Sequence, residues 1–281
     1  MRLQCGAAEL VLVPEMGGAV SSWKIAGLPI FRPADPLATD ARGHACYPLV
    51  PFSNRVANRR FSFAGIEYEL PALLGEWAIH GAGWQCQWTR HENALRLSYP
   101  GGTLWPFAFD AEQVFDLRAD GLAVTMRVTN RHTAPAPAAI GLHPFFPRDA
   151  ATTMQVHAAT VWQNDSKKIP HAEVPVPPEW DFTTEHELGD VDIDNCFAGW
   201  DGEATLTWPQ HRQKLRISAT QPFRHLVIYV PWGQPFTAIE PVSNMNDGLN
   251  HMHDGTDHGM RVLAPGETLE GRIDMTVETL P

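Results

Sequence analysis

At about 150 residues per domain, a chain of 281 residues allows two small domains, but large all-β domains regularly undercut that count. The 32 acidic residues against 21 basic ones leave a net charge of −11, a field that repels phosphate backbones and argues against nucleic acid as a partner. With 44% hydrophobic and only 19% charged residues, the chain can bury a core and is not disordered along its length.

The N-terminal stretch has Glu9, Pro14 and Glu15 inside its apolar run, so no secretory leader is expected. Period-2 alternation begins there, with Leu10 and Leu12 out of step with Val11 and Val13, and predicts a strand with one buried face. Cys46 to Ser53 carries no charge and leads into Asn54-Arg55, where the arginine is either a clamp on substrate hydroxyls or a structural tie to backbone carbonyls. Arg60 to Leu70 reads as a hairpin: Phe61 and Phe63, a turn at Ala64-Gly65 with Gly65 at positive φ, then Ile66, Tyr68 and Leu70. His80 follows in AIHGAGW, where Gly81 and Gly83 permit close approach of backbone or ligand.

Further alternating strands are predicted at Leu95/Leu97/Tyr99 and at Leu122/Val124/Met126/Val128, separated by turn signals. The segments 132–138 and 169–180 are too rich in proline for central strands and are expected to be surface connections. Between them lies His143 in IGLHPFF, either a core histidine bonded to a carbonyl or a functional imidazole. Asp194 in DIDNCF caps a turn or accepts a hydrogen bond from a ligand. Leu215/Ile217 and Ile273/Met275/Val277 alternate again. From 225 to 239 an apolar run is broken by Pro231, Gly233 and Pro235, and no run reaches the roughly 18 residues of a membrane span. Glu240, between Ile239 and Pro241, is expected at a strand end, facing water from an edge or set where burial tunes its pKa.

The loop NHMHDGTDHG brings His251, His253 and His258 close in sequence, a ligand set on paper but also a Gly- and Asp-rich solvated turn; no metal is expected. The four cysteines at 5, 46, 86 and 196 contain no Cys-x-x-Cys pair and read as reduced, buried thiols of a cytoplasmic protein. Phosphate-cradling glycine patterns and a GxSxG elbow are both missing. Proline (24) and glycine (22) recur without gathering into a linker, so residues 1–281 read as one domain. Many short strands without sustained helical periodicity predict an all-β protein, a large antiparallel sandwich or barrel.

The ordered set Asn54-Arg55, Phe61 and Gly65, His80-Gly81, His143-Pro144-Phe145-Phe146, Asp194-x-x-Phe197, Ile239-Glu240-Pro241 and the closing Leu263-Ala264-Pro265-Gly266-Glu267 resembles the aldose 1-epimerase family, the galactose mutarotases. That resemblance spans roughly residues 45 to 270. It implies a galactose-mutarotase-like β-sandwich with the sugar in an open cleft on a large sheet, no cofactor, and a small-molecule sugar as substrate. By resemblance Glu240 is the general base on the anomeric hydroxyl and His143 the general acid on the ring oxygen; Arg55, His80, Asp194 and Asn54 bind the sugar. Ten tryptophans offer faces for a pyranose, and Trp84 and Trp232, near His80 and Glu240 in sequence, are the candidates.

Two positions depart from the family pattern: Arg59 where glycine is usual, and Ala82 in place of the second glycine after His-Gly. The chain is also shorter than the better-known galactose mutarotases, so a preference for galactose is not carried over. Alternatives are a hexose-6-phosphate 1-epimerase, which needs a cationic pocket, and a non-catalytic carbohydrate-binding protein. Monomer and homodimer are both open.

Overall fold

A computed structural model describes residues 1–281. Two large antiparallel sheets dominate it, one of eleven strands and one of nine. The first runs, edge to edge, through Arg2–Cys5, Ala8–Val13, Ala19–Ile25, Cys46–Leu49, Gly141–Pro147, Phe236–Val242, His225–Val230, Ile193–Ala198, Thr160–Asn164 and Pro170–Pro175; Leu28–Pro29 pairs outside that path. In the second, Gly121–Asn130, Thr268–Thr279 and Gln213–Ala219 form the middle. No helix is long and apolar enough to cross a membrane.

Alternation explains the packing, because successive side chains of a strand point to opposite faces. Leu10, Leu12, Leu95, Leu122, Val124, Met126, Val128, Leu215, Ile217, Ile273 and Met275 all join one buried cluster of 57 residues between the two sheets. The middle strands of the first sheet are covered on both faces. In Gly141–Pro147, Leu142 and Phe146 face that core, whereas Phe145 joins a second cluster of 14 residues with Tyr47, Trp84, Val227, Ala238 and Met245. This second face carries the candidate site.

Several local expectations change. The Arg60–Leu70 hairpin is present as Arg60–Phe63 paired with Ile66–Glu69, but Ala64 (φ 52°) joins Gly65 (φ 77°) in the left-handed region, and Ile66 is exposed. Two φ-positive residues are what a type I′ turn requires. The proline-rich segments are not mere surface connections. Ala136–Ala138 is buried and pairs with Arg261–Leu263, and Pro170–Pro175 is the outermost strand of the eleven-stranded sheet, where missing N–H groups cost no ladder bonds. All four cysteines are free, but only Cys46 and Cys196 are buried; Cys5 and Cys86 are half-buried.

Candidate active site

Register places the key groups in one row. Tyr47 pairs directly with His143. The pairs Gly141↔Val242 and Phe145↔Ala238 on either side set His143 opposite Glu240, which in turn pairs with Val227, and Val227 with Cys196. Asp194, Tyr229, Ala238 and Phe145 form the next row on the same face. Glu240 is therefore not at a strand end but inside Phe236–Val242, in the middle of the sheet, and the edge reading is corrected. Pro144 and Pro241 each follow a site residue, and neither can donate to the ladder; no paired residues are assigned between those two strands over 142–144.

His143 Nε2 lies 3.2 Å from Glu240 Oε1, with both side chains almost fully buried. Nδ1 of the imidazole and Oε2 of the carboxylate are enclosed without partners, so Nε2 and Oε1 are the atoms left to meet a ligand. Tyr47 stacks on the His143 ring at 4.6 Å and Phe145 packs against it at 4.4 Å, which fixes its plane. Burial drives the Glu240 carboxyl well above its ordinary range; Asp194 adds to the shift and Arg55 opposes it. Burial, helped by the Arg32 guanidinium, pushes His143 down to about 3.

His80 and Asn54 clamp each other. The Asn54 N–H donates to His80 Nδ1 at 3.1 Å, and the His80 N–H donates to the Asn54 carbonyl at 3.0 Å. Since a backbone amide can only donate, Nδ1 is an acceptor and the imidazole proton resides on Nε2. Burial, then the neighbouring His143 and Arg55, hold His80 well below the usual imidazole range, so it stays neutral. Both residues have positive φ, 60° at Asn54 and 62° at His80, a strain that persists only where surrounding contacts enforce it. Gly81 is one such contact: at φ 68°, a Cβ would sit 2.3 Å from the Val50 carbonyl oxygen.

Arg55 reaches Asp194 Oδ2 at 3.6 Å, and its Nη1 donates to Asn54 Oδ1 at 3.4 Å. Asp194 is thus no turn cap; it sits inside Ile193–Ala198 and also faces Lys168 at 3.9 Å. Glu240, His143, His80, Asn54, Arg55 and Asp194 all line one pocket of about 220 Å³.

The two tryptophans expected to stack on a sugar are not there. Trp84 is buried, with its indole N–H bonded to the Ile79 carbonyl and no free face; Trp232 is 71% exposed in the turn after His225–Val230 and lines no part of the pocket. Tyr47, Tyr229, Arg42 and Phe145 are pocket residues that sequence reasoning missed. Of the departures, Arg59 is half-buried and pairs with Glu69 at 3.4 Å, whereas Ala82 is fully buried. The loop histidines do not converge: His251 Nδ1 contacts Asp254 at 2.6 Å, His258 Nδ1 accepts from the Met260 N–H, and no group of three such side chains is placed to hold a metal.

The family model for aldose 1-epimerase matches residues 1–276. The chain belongs to the aldose 1-epimerase family. The Escherichia coli protein YphB is 32% identical over 284 residues, covering 95% of each chain. Among solved structures, one from Escherichia coli K12 superposes with a TM-score of 0.90 at 29% identity over 99% of this chain and 98% of that one. A galactose mutarotase-like protein from Clostridium acetobutylicum shares the fold, with a TM-score of 0.87 at 19% identity over 99% and 95%. The two packed sheets of this family member are thus a galactose-mutarotase-like β-sandwich.

Proposed function

We propose that the chain is a mutarotase that interconverts the α and β anomers of a free aldose. The observation that carries the proposal is the 3.2 Å contact between His143 Nε2 and Glu240 Oε1 in a one-sided pocket. Ring opening needs one group to take the O1 proton while another delivers a proton to the ring oxygen, and both oxygens are bonded to the same carbon. Two side-chain atoms 3.2 Å apart suit a substrate whose two reacting oxygens are bonded to one carbon.

Glu240 accepts the anomeric proton, and His143 protonates the ring oxygen as the C1–O5 bond breaks. The aldehyde rotates about C1–C2 and recloses with the proton transfers reversed. Burial alone favours the neutral pair, with the proton on Glu240 and none on His143, so the reactive pair forms when hydrogen bonds from the bound sugar and the charge of Arg55 stabilise the Glu240 carboxylate and the proton passes to His143 across their contact. Neutral His80, with its proton on Nε2, donates to a sugar oxygen, while Arg55 and Asp194 grip hydroxyls farther from the anomeric carbon. The shared core between the sheets supports reading residues 1–281 as one domain.

The test is polarimetry on freshly dissolved α-D-glucose, α-D-galactose and α-D-glucose 6-phosphate. Acceleration of a free sugar that vanishes in Glu240→Gln is the expected result. Exclusive turnover of the phosphate, or of no sugar, sinks the proposal.

A further inference from the structure

Beyond Glu240 the chain stays inside, and every residue from Pro241 to Leu249 is buried. Enclosed polar side chains call for partners, and Ser243, Asn244 and Asp247 find theirs on the segments that carry the other site residues. The Ser243 N–H donates to the Ile140 carbonyl at 2.8 Å and its Oγ accepts the Ile140 N–H at 3.0 Å, at the root of the strand that holds His143. The Asn244 side chain brackets Ser53, accepting its N–H at 2.9 Å and donating to its carbonyl at 3.2 Å. Asp247 reaches Arg55. Its N–H donates to the Arg55 carbonyl at 2.9 Å, and its Oδ1 accepts the Ala57 N–H at 2.9 Å. Nδ2 of Asn250 donates to the same Oδ1 at 2.7 Å.

Arg55 needs that support. Its guanidinium contacts with Asn54 and Asp194 are long, 3.4 and 3.6 Å, and its enclosed Nε has no partner. Contacts of that length do not by themselves fix a flexible side chain, so the path of its backbone decides where the guanidinium lies. That backbone is irregular: Arg55 and Val56 pair only with Ile79 and Ala78, and Asn54, Asn58 and Arg59 around them have φ of 60°, 51° and 58°. Non-glycine residues in this region are strained and persist where contacts from outside over-determine them. Asp247, itself at φ 57°, supplies two such contacts, one on each side of Val56. It does not line the inner pocket.

We propose that Asp247 is a positioning residue: by holding the Arg55 carbonyl and the Ala57 N–H, it sets the reach of the Arg55 guanidinium over the sugar, and it does so from the segment that continues out of the Glu240 strand. The sugar-binding arginine and the base are thereby registered against each other. This rests on the mutarotase reading, with Arg55 as a sugar-binding residue, and adds what holds that residue in place. The acceptor oxygen is what the N–H groups use, so an amide at position 247 keeps the function.

The experiment measures kcat and KM by polarimetry for α-D-glucose and α-D-galactose, in the wild-type background and in Arg55→Lys. Asp247→Ala is expected to raise KM about fivefold to tenfold with kcat within about twofold, the pattern of binding lost equally from ground and transition states. Asp247→Asn is expected to stay within about twofold of wild type in both constants, because Oδ1 is retained. In Arg55→Lys, where the guanidinium fork is already gone, Asp247→Ala is expected to add no more than about twofold to KM, as residues acting through one another are not additive. Asn250→Ala, at an exposed position, removes the bonds to the Asp247 carboxylate and the Arg60 carbonyl and tests the same contacts where Asp247→Ala does not fold. Its KM should rise about twofold to threefold, and not in Arg55→Lys. Effects on kcat alone, an Asp247→Asn as impaired as Asp247→Ala, or KM effects that multiply in Arg55→Lys would overturn the positioning role and leave the mutarotase intact. Acceleration of neither sugar by the wild-type chain would remove the mutarotase reading and this role with it.

Discussion

Glu240→Gln separates two properties of the buried carboxylate. The residue is 2% exposed, its Oε2 has no partner, and its folded pKa is raised mainly by burial. A carboxyl whose pKa is raised on folding holds its proton more tightly in the native state. That advantage is complete below the unfolded value, near 4.5, and is lost as pH rises through the folded value, at about 1.4 kcal/mol per unit of separation. Glutamine mimics the protonated carboxyl and has nothing to lose. Because His143 contacts Glu240, its titration is coupled to that of the carboxyl, and repeating the comparison in a His143→Gln background isolates the Glu240 contribution. Urea unfolding should therefore give similar stabilities at pH 4 and an advantage for the amide on the order of 1–3 kcal/mol at pH 8, the cost of a buried unsatisfied polar group. Under the same conditions mutarotation should fall about 10²- to 10⁴-fold, the contribution of a general base. A stability difference that is the same at pH 4 and pH 8 would refute the argument that Glu240 is a desolvated carboxylate, whatever happens to activity.

Four further substitutions probe the rest of the site. His143→Asn should lower kcat about 10²-fold with a smaller effect on KM, read by polarimetry. Arg55→Lys replaces a planar fork shared between Asp194 and Asn54 by a point charge, and should raise KM about tenfold with kcat less affected. Gly81→Ala combines positive φ with a Cβ 2.3 Å from a carbonyl oxygen; a loss of more than about 2 kcal/mol is expected in urea, with clashing backbone as the cause. Trp232→Ser, at a largely exposed turn, should change stability by no more than about 0.5 kcal/mol and leave mutarotation kinetics unaltered.

The strands with one buried face were legible because alternation directly records which side meets the core, as in Leu122 to Val128. The misreadings share a cause. Pro241 looked like the end of a strand, since proline is ordinarily kept out of sheet interiors, yet His143-Pro144 and Glu240-Pro241 occupy neighbouring central strands. The prolines fall where those strands show no assigned pairing, so the local rule is obeyed by a gap in the ladder that no single strand reveals. Trp84 and Trp232 were selected by nearness in sequence, but a sheet brings together residues by register, and it is Tyr47, from the uncharged segment before Asn54, that stacks on His143. An aromatic between Cys46 and Pro48 carries no local sign of that role.

The row from Tyr47 through His143 to Glu240 also ties the timing of activity to the assembly of the sheet. Each member arrives on a strand far from the next in the chain, and the acid–base contact exists only after Phe236–Val242 has docked between Gly141–Pro147 and His225–Val230. Long-range pairings of this kind form late, because the entropy of closing large loops is spent before any contact rewards it. During refolding, compaction and secondary structure should precede catalysis, and the return of mutarotation should report the moment at which these central strands join.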